Sequence, residues 1–177
     1  MKFLELVKKR QSDRKYLDKP VEREKIERCF EAARLAPSAT NSQPWEFIAV
    51  EDSEMREKVA QATFSSVVRF NRFALKAPVL VVLSSWKPAL SIAIGGLLKD
   101  RQFNLVDVGI TAGHFCLQAA EEGLGTCMLG WFNTKKIAKL LNIKSPKKPV
   151  LVFTLGYPAQ ETREKKRKDL DKIRRYI

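Results

Sequence analysis

Arg10, Ser12 and Arg14 alternate near the start of the chain, two guanidiniums flanking one hydroxyl. That trio suits a phosphate, because each guanidinium offers a fixed fork of donors and the serine adds another at short range. A solvated basic helix end would use the same residues. A second polar cluster follows in residues 37–45, PSATNSQPW. Its two prolines stiffen the turns, while Ser38, Thr40, Asn41 and Gln43 carry hydroxyl and amide groups able to hydrogen-bond the edge of a heteroaromatic ring. A plain polar surface loop has a similar composition.

Other chemistry is thinly represented. Cys29, Cys116 and Cys127 are odd in number and widely spaced, which offers neither a disulfide framework nor a CxxC redox pair. With His114 the single histidine, no zinc site is expected. His114 itself falls in an apolar helical stretch, where a hydrogen-bonded core or interface histidine is the expected role. Gly123, Gly125 and Gly130 lack the dinucleotide spacing and close a helix instead of opening one, and no P-loop is present. No catalytic side chain and no metal ligand is therefore assigned.

These groups must be held by the elements around them. Phe3, Leu6 and Val7 recur at helical spacing, and residues 22–36 place Ile26, Phe30 and Ala33 on one side, ending before Pro37. Residues 45–50 read as a strand, and Ser53 as the cap of a helix carrying Met55, Val59 and Ala62. Val79 to Leu83, a continuous apolar run after Pro78, reads as a strand buried on both faces. Between Leu105 and Glu122 two adjoining apolar stripes make a helix apolar almost all round, for which a second subunit is a natural cover. Gly123 stops it, residues 127–129 are extended, Thr134 caps a helix to Leu141, and residues 150–155 form another buried strand. The alternation is too irregular for a doubly wound sheet, so the fold class is α+β, one domain over residues 1–177.

Composition sets outer limits. The chain has 177 residues, 45% of them hydrophobic and 30% charged, which is ordinary for a folded protein. No apolar stretch approaches the roughly 20 residues of a membrane span. The N-terminus lacks a signal peptide's order of charge and apolar run, so a cytoplasmic protein is expected, with no membrane partner. The net charge of +13 admits nucleic acid, an acidic surface or a phosphorylated small molecule. Part of it lies in residues 163–177, with eight Lys or Arg against three acids. Interleaved exposed aromatics and known nucleic-acid motifs are missing, which leaves a basic nucleic-acid-binding module as the minor alternative.

The two polar clusters together resemble the nitroreductase family, whose members begin with R-x-S-x-[RK] and then carry a PS-x-x-NSQPW-x-F loop. Here these read RQSDR and PSATNSQPWEF. Residues 107–133, DVGITAGHFCLQAAEEGLGTCMLGWFN, are similar to the family's long central helix and following turn, and residues 155–168, LGYPAQETREKKRK, to its closing element. The resemblance implies a mixed β-sheet of four to five strands flanked by helices, an intertwined homodimer, and FMN bound in the dimer interface. It places Arg10, Ser12 and Arg14 on the flavin, with Lys165 and Arg167 closing on its phosphate. Pro37, Ser38 and Asn41 would approach from the other subunit, and Met128, Leu129 and Gly130 would lie against the isoalloxazine, Gly130 allowing close backbone approach. Asn71 matches a flavin-contacting Asn more loosely. Segment 84–104, with Ile94, Leu97, Leu98 and Phe103, would cover the flavin's open face.

The implied activity is ping-pong hydride transfer from NADH or NADPH, then electron delivery to a small organic acceptor such as a nitroaromatic or quinone. Flavin reduction or reductive dehalogenation on the same scaffold is the alternative. Positive charge near the ring's N1 and O2 is then the protein's main contribution, with Arg14 as the candidate. Charge alone does not hold the flavin: micromolar affinity needs roughly 8 kcal/mol, each charged hydrogen bond nets about 1.5–3, and association costs about 4 or more. Apolar lining from Leu129, the Pro37 loop and the subunit interface is expected to supply the rest.

Overall fold

The computed structural model describes residues 2–87 and 102–177. Among them run α1 (Phe3–Lys9), α2 (Arg23–Arg34), β1 (Trp45–Val50), α3 (Ser53–Gln61), β2 (Val79–Ser85), α4 (Phe103–Glu121), β3 (Gly125–Leu129), α5 (Thr134–Leu140) and β4 (Lys148–Gly156). Short 3-10 turns occupy Ala39–Asn41, Arg72–Lys76 and Leu170–Lys172.

The strands form one sheet in the order β1-β2-β4-β3, and every neighbouring pair is antiparallel. The architecture is α+β as expected, but the mixed sheet is corrected to a four-stranded antiparallel one among the described residues. A single parallel contact, the isolated bridge between Ser12 and Thr126, lies outside the strands. Apolar periodicity fixes which face of a strand is buried and says nothing of its neighbour's direction.

β2 is buried along its whole length, as its unbroken apolar run predicts. Val79, Val81 and Leu83 face one way with Phe153 and Leu155, into a core shared with α2 and α4. Leu80 and Val82 face the other way with Val152, Cys127 and Leu129, toward α3 and α5. Phe30, Phe47, Phe115 and Phe153 meet at the centre of the first core, Phe115 and Phe153 with ring centroids 5.0 Å apart.

Two helix starts differ by one residue from expectation. The cap of α3 is Asp52, accepting from Met55 N at 2.8 Å, and that of α5 is Asn133, accepting from Lys136 N at 2.9 Å. Ser53 and Thr134 are instead the first helical residues, because the shorter-reaching hydroxyls follow a better acceptor. α4 ends as expected at Gly123, whose φ of 76° lets Gly123 N bond Ala120 O and Leu124 N bond Ala119 O.

α4 buries Asp107, Val108, Thr111, Ala112, Phe115, Cys116, Ala119 and Ala120. Its other side carries Leu105, Val106 and Gly109 exposed, with Ile110, Gly113 and Leu117 half-buried.

Candidate functional site

The site grows from two irregular segments laid side by side. Leu17 N donates to Tyr157 O and Ala159 N to Lys15 O, both at 2.9 Å, and Arg14 N to Gln160 Oε1 at 3.2 Å. Further along, Gln11 Nε2 donates to Glu161 O, Arg163 N to Gln11 Oε1, and Lys165 Nζ to Arg10 O at 2.5 Å. On its other side the first segment is fastened to β3 by Asp13 N donating to Thr126 O at 2.9 Å. Tyr16 locks the base: its hydroxyl donates to Asp13 O and shares a second bond with Thr154 Oγ1, each 2.6 Å. Arg10 is thus brought beside Lys165, on a strap that also carries Arg167, while Arg163 Nη2 donates to Ser12 O at 3.2 Å and Arg14 is fastened to the strap through its backbone.

Asp13 lies beneath them, only 5% exposed. Gln11 Nε2 donates to its Oδ1 at 2.9 Å. Burial lifts its pKa above the ordinary carboxylate value, offset in part by that hydrogen bond and by Arg163, Arg10 and Lys165. Position 125 has to be glycine here, because a Cβ would stand 2.6 Å from Asp13 Oδ2. Burial, then repulsion from Arg10 and Arg167, depresses the pKa of Lys165. A small cavity of about 50 Å³ opens between this cluster and the end of α4, lined by Arg10, Gln11, Asp13, Ala120, Leu124 and Thr126 among others.

β3 supplies the adjoining wall. Met128 is 38% exposed and Gly130 is open, with nothing within 4 Å of where a Cβ would stand. Leu129 is 4% exposed, its side chain packed into the α3/α5 core by strand alternation. Asn71 is also buried, and its Nδ2 donates to Thr63 O and Trp131 O, both at 3.0 Å. Those bonds tie the loop before the 72–76 turn to the turn after Gly130. Arg14 stays near it, its guanidinium 5.8 Å from the centre of the Phe73 ring.

The loop carrying Pro37, Ser38 and Asn41 lies elsewhere. Ala39 N donates to Asp107 Oδ1 at 3.1 Å, near the start of α4, whereas the cations cluster by Ala120 at its end. Thirteen helical residues separate the two anchors, roughly 20 Å along the axis. Ser38 Oγ accepts from Gln43 N, and Asn41 Oδ1 from Gln43 Nε2. Thr40, Asn41 and Gln43 hold φ of 54°, 54° and 45°, the left-handed conformation that non-glycine residues adopt at a cost. Asp107 is 3% exposed, and its Oδ2 has no hydrogen-bond partner among the described residues.

Sequence reading passed over Gln11, Asp13, Arg163 and Asp107. The available signals were one acid within RQSDR and one within an otherwise apolar helix face. His114 has the structural role expected of it, its Nδ1 3.2 Å from Ala32 O. Residues 88–101 of the expected cover, including Ile94, Leu97 and Leu98, lie outside the described residues, and Phe103 opens α4. Among the described residues no His, Cys, Asp or Glu cluster could hold a metal, and no helix is long and apolar enough to cross a membrane.

The donor set fits the phosphate of an FMN: cations of one sign converge, repel one another and outnumber the acid beneath them. The nitroreductase family model matches residues 7–157. The chain belongs to the nitroreductase family. It is 29% identical to the oxygen-insensitive NADPH nitroreductase of Helicobacter acinonychis, over 82% of this chain and 81% of that one. Iodotyrosine deiodinase 1 of Rattus norvegicus is 28% identical over 97% of this chain and 68% of its own length. In structure the chain resembles an FMN-dependent nitroreductase of Clostridium difficile, with a TM-score of 0.79, 28% identity, and coverage of 99% and 98%. Family membership makes this nitroreductase-type protein an oxidoreductase.

Proposed function

We propose that this nitroreductase binds FMN and passes electrons from NAD(P)H to a small organic acceptor, as a cytoplasmic homodimer. The observation that carries the reading is the convergence of Arg10, Lys165 and Arg163 around the buried Asp13, with Arg167 close enough to repel Lys165. Arg10 and Lys165 hold the phosphate, and Arg167 adds charge from the same strap. Arg14 places positive charge toward the ring, and the open backbone at Gly130 gives it a flat seat. When bound, FMN supplies the hydride and electron chemistry, and the chain binds, orients and excludes water.

Distance supports the dimer reading. A loop and a cation cluster set roughly 20 Å apart along α4 meet at one flavin when two such helices cross antiparallel. Pro37, Ser38 and Asn41 then reach the ring from the second copy, and the face carrying exposed Val106 and half-buried Ile110 and Leu117 finds its cover. Three free, buried cysteines suit a reducing compartment, with burial pushing Cys29 up to about 12 and Cys116 up to about 11. The deiodinase relative favours a second reading of the same site, reductive dehalogenation of an aromatic acceptor.

Purified protein carries a flavin spectrum or acquires one on soaking with FMN, and sediments as a dimer. A preparation that stays colourless after FMN soaking overturns the proposal. Assays of the FMN-loaded protein with nitroaromatic, quinone and halophenol acceptors separate the two readings.

A further inference from the structure

A second polar cavity, of about 340 Å³, lies outside the flavin cluster and is lined by Phe64, Ser65, Ser66, Arg69 and Arg72. Its loop is built from its own bonds. Ser65 N donates to Val68 O at 2.8 Å, Val68 N to Ser65 Oγ at 3.0 Å, and Arg69 Nε to Ser66 O at 3.0 Å. Arg69 is thereby held at its Nε, and among the described residues its terminal nitrogens have no partner and Arg72 has no ion pair or side-chain hydrogen bond. Asn71, just before Arg72, pins the loop to Trp131, one step beyond Gly130. Phe73 on the following turn lies under Arg14. The cavity is therefore rigidly attached to the rim of the flavin site without sharing its phosphate ligands.

Two guanidiniums and two hydroxyls lining one cavity match a terminal phosphate monoester, which brings two charges and three free oxygens, better than a diester phosphate with one charge. Phe64 adds an apolar surface beside them. We propose that this cavity receives the 2′-phosphate of NADPH and makes NADPH the preferred electron donor. The assignment rests on the proposed FMN and NAD(P)H chemistry and adds to it which donor is chosen and by which residues.

Arg72→Ala removes a cation while leaving every loop bond in place, and Arg69→Ala removes the second. In FMN-loaded protein each lowers kcat/KM for NADPH by roughly tenfold, the loss of one charged hydrogen bond, and leaves NADH nearly unchanged. Calorimetry adds a readout free of turnover: adenosine 2′,5′-bisphosphate binds the wild type and weakens by a similar factor in both variants, while adenosine 5′-monophosphate is indifferent to them. Equal losses for NADPH and NADH assign the arginines to the shared pyrophosphate and overturn the proposal. So does bisphosphate binding that is missing in the wild type or unaltered in the variants. A wild-type flavin that neither donor bleaches is a failure of the proposed function, which the calorimetric comparison tells apart from a failure of the cavity.

Discussion

Asp13 sits among Arg10, Arg163 and Lys165 and neutralises part of the charge that an incoming phosphate meets. Burial raises its pKa, so the folded state binds the proton more tightly than the unfolded chain. The stability this contributes is complete below the ordinary carboxylate pKa and is lost as pH rises through the higher folded value. Asp13→Asn should flatten that acid-side fall, read by urea denaturation at a series of pH values, and tighten FMN binding in a fluorescence titration. Wild-type slope with weaker FMN binding would mean that Asp13 organises the cations instead of opposing the ligand. Tyr16→Phe leaves Thr154, fully buried, without its 2.6 Å partner and should cost about 1–3 kcal/mol by denaturation. The position of Arg10 at the basic cluster was legible in the alternating RQSDR pattern, although the pattern alone also suits a solvated helix end. Asp13 and Gln11 were not, since their partners at 125, 161 and 163 are distant in sequence.

At the scale of elements, α4 is packed on one side and open on the other. Phe115 closes the four-phenylalanine cluster at 0% exposure, and Phe115→Ala should cost about 3–5 kcal/mol in chemical denaturation. On the open side, Gly109 and Gly113 stand one turn apart, and a Cβ at either meets nothing within 4 Å. Within one protomer a helical glycine there costs about 1 kcal/mol against alanine with no packing return. Gly113→Leu should therefore leave the protomer folded and weaken the dimer, seen as a shift toward monomer in sedimentation equilibrium. An unshifted dimer would place the interface away from this face. The helices were legible because 3.6-residue periodicity is local. The sheet's direction was not, because β2 pairs with β4 across a long stretch of chain that apolar alternation cannot orient. The single-residue error at both helix starts has the same local cause, an Asp or Asn standing just ahead of a Ser or Thr.

For the whole molecule, the +13 charge is concentrated in the strap at residues 163–168, and the loop at residues 64–72 adds Arg69 and Arg72. Both border the same ribbon and turn, the first through Arg10, the second through Trp131. The proposed ring site draws on the loop at residues 37–45, which this chain holds at the far end of α4. Leu129 and Asn71, two of the expected ring contacts, have buried side chains that also serve the scaffold. The most direct test is an anaerobic titration of the FMN-loaded protein with NADPH, followed at the visible flavin band. Bleaching in a stoichiometry of one donor per FMN, then full recovery of the band on adding a nitroaromatic or quinone, is the predicted result. A protein that holds FMN yet shows no bleaching by NADPH or NADH contradicts the account.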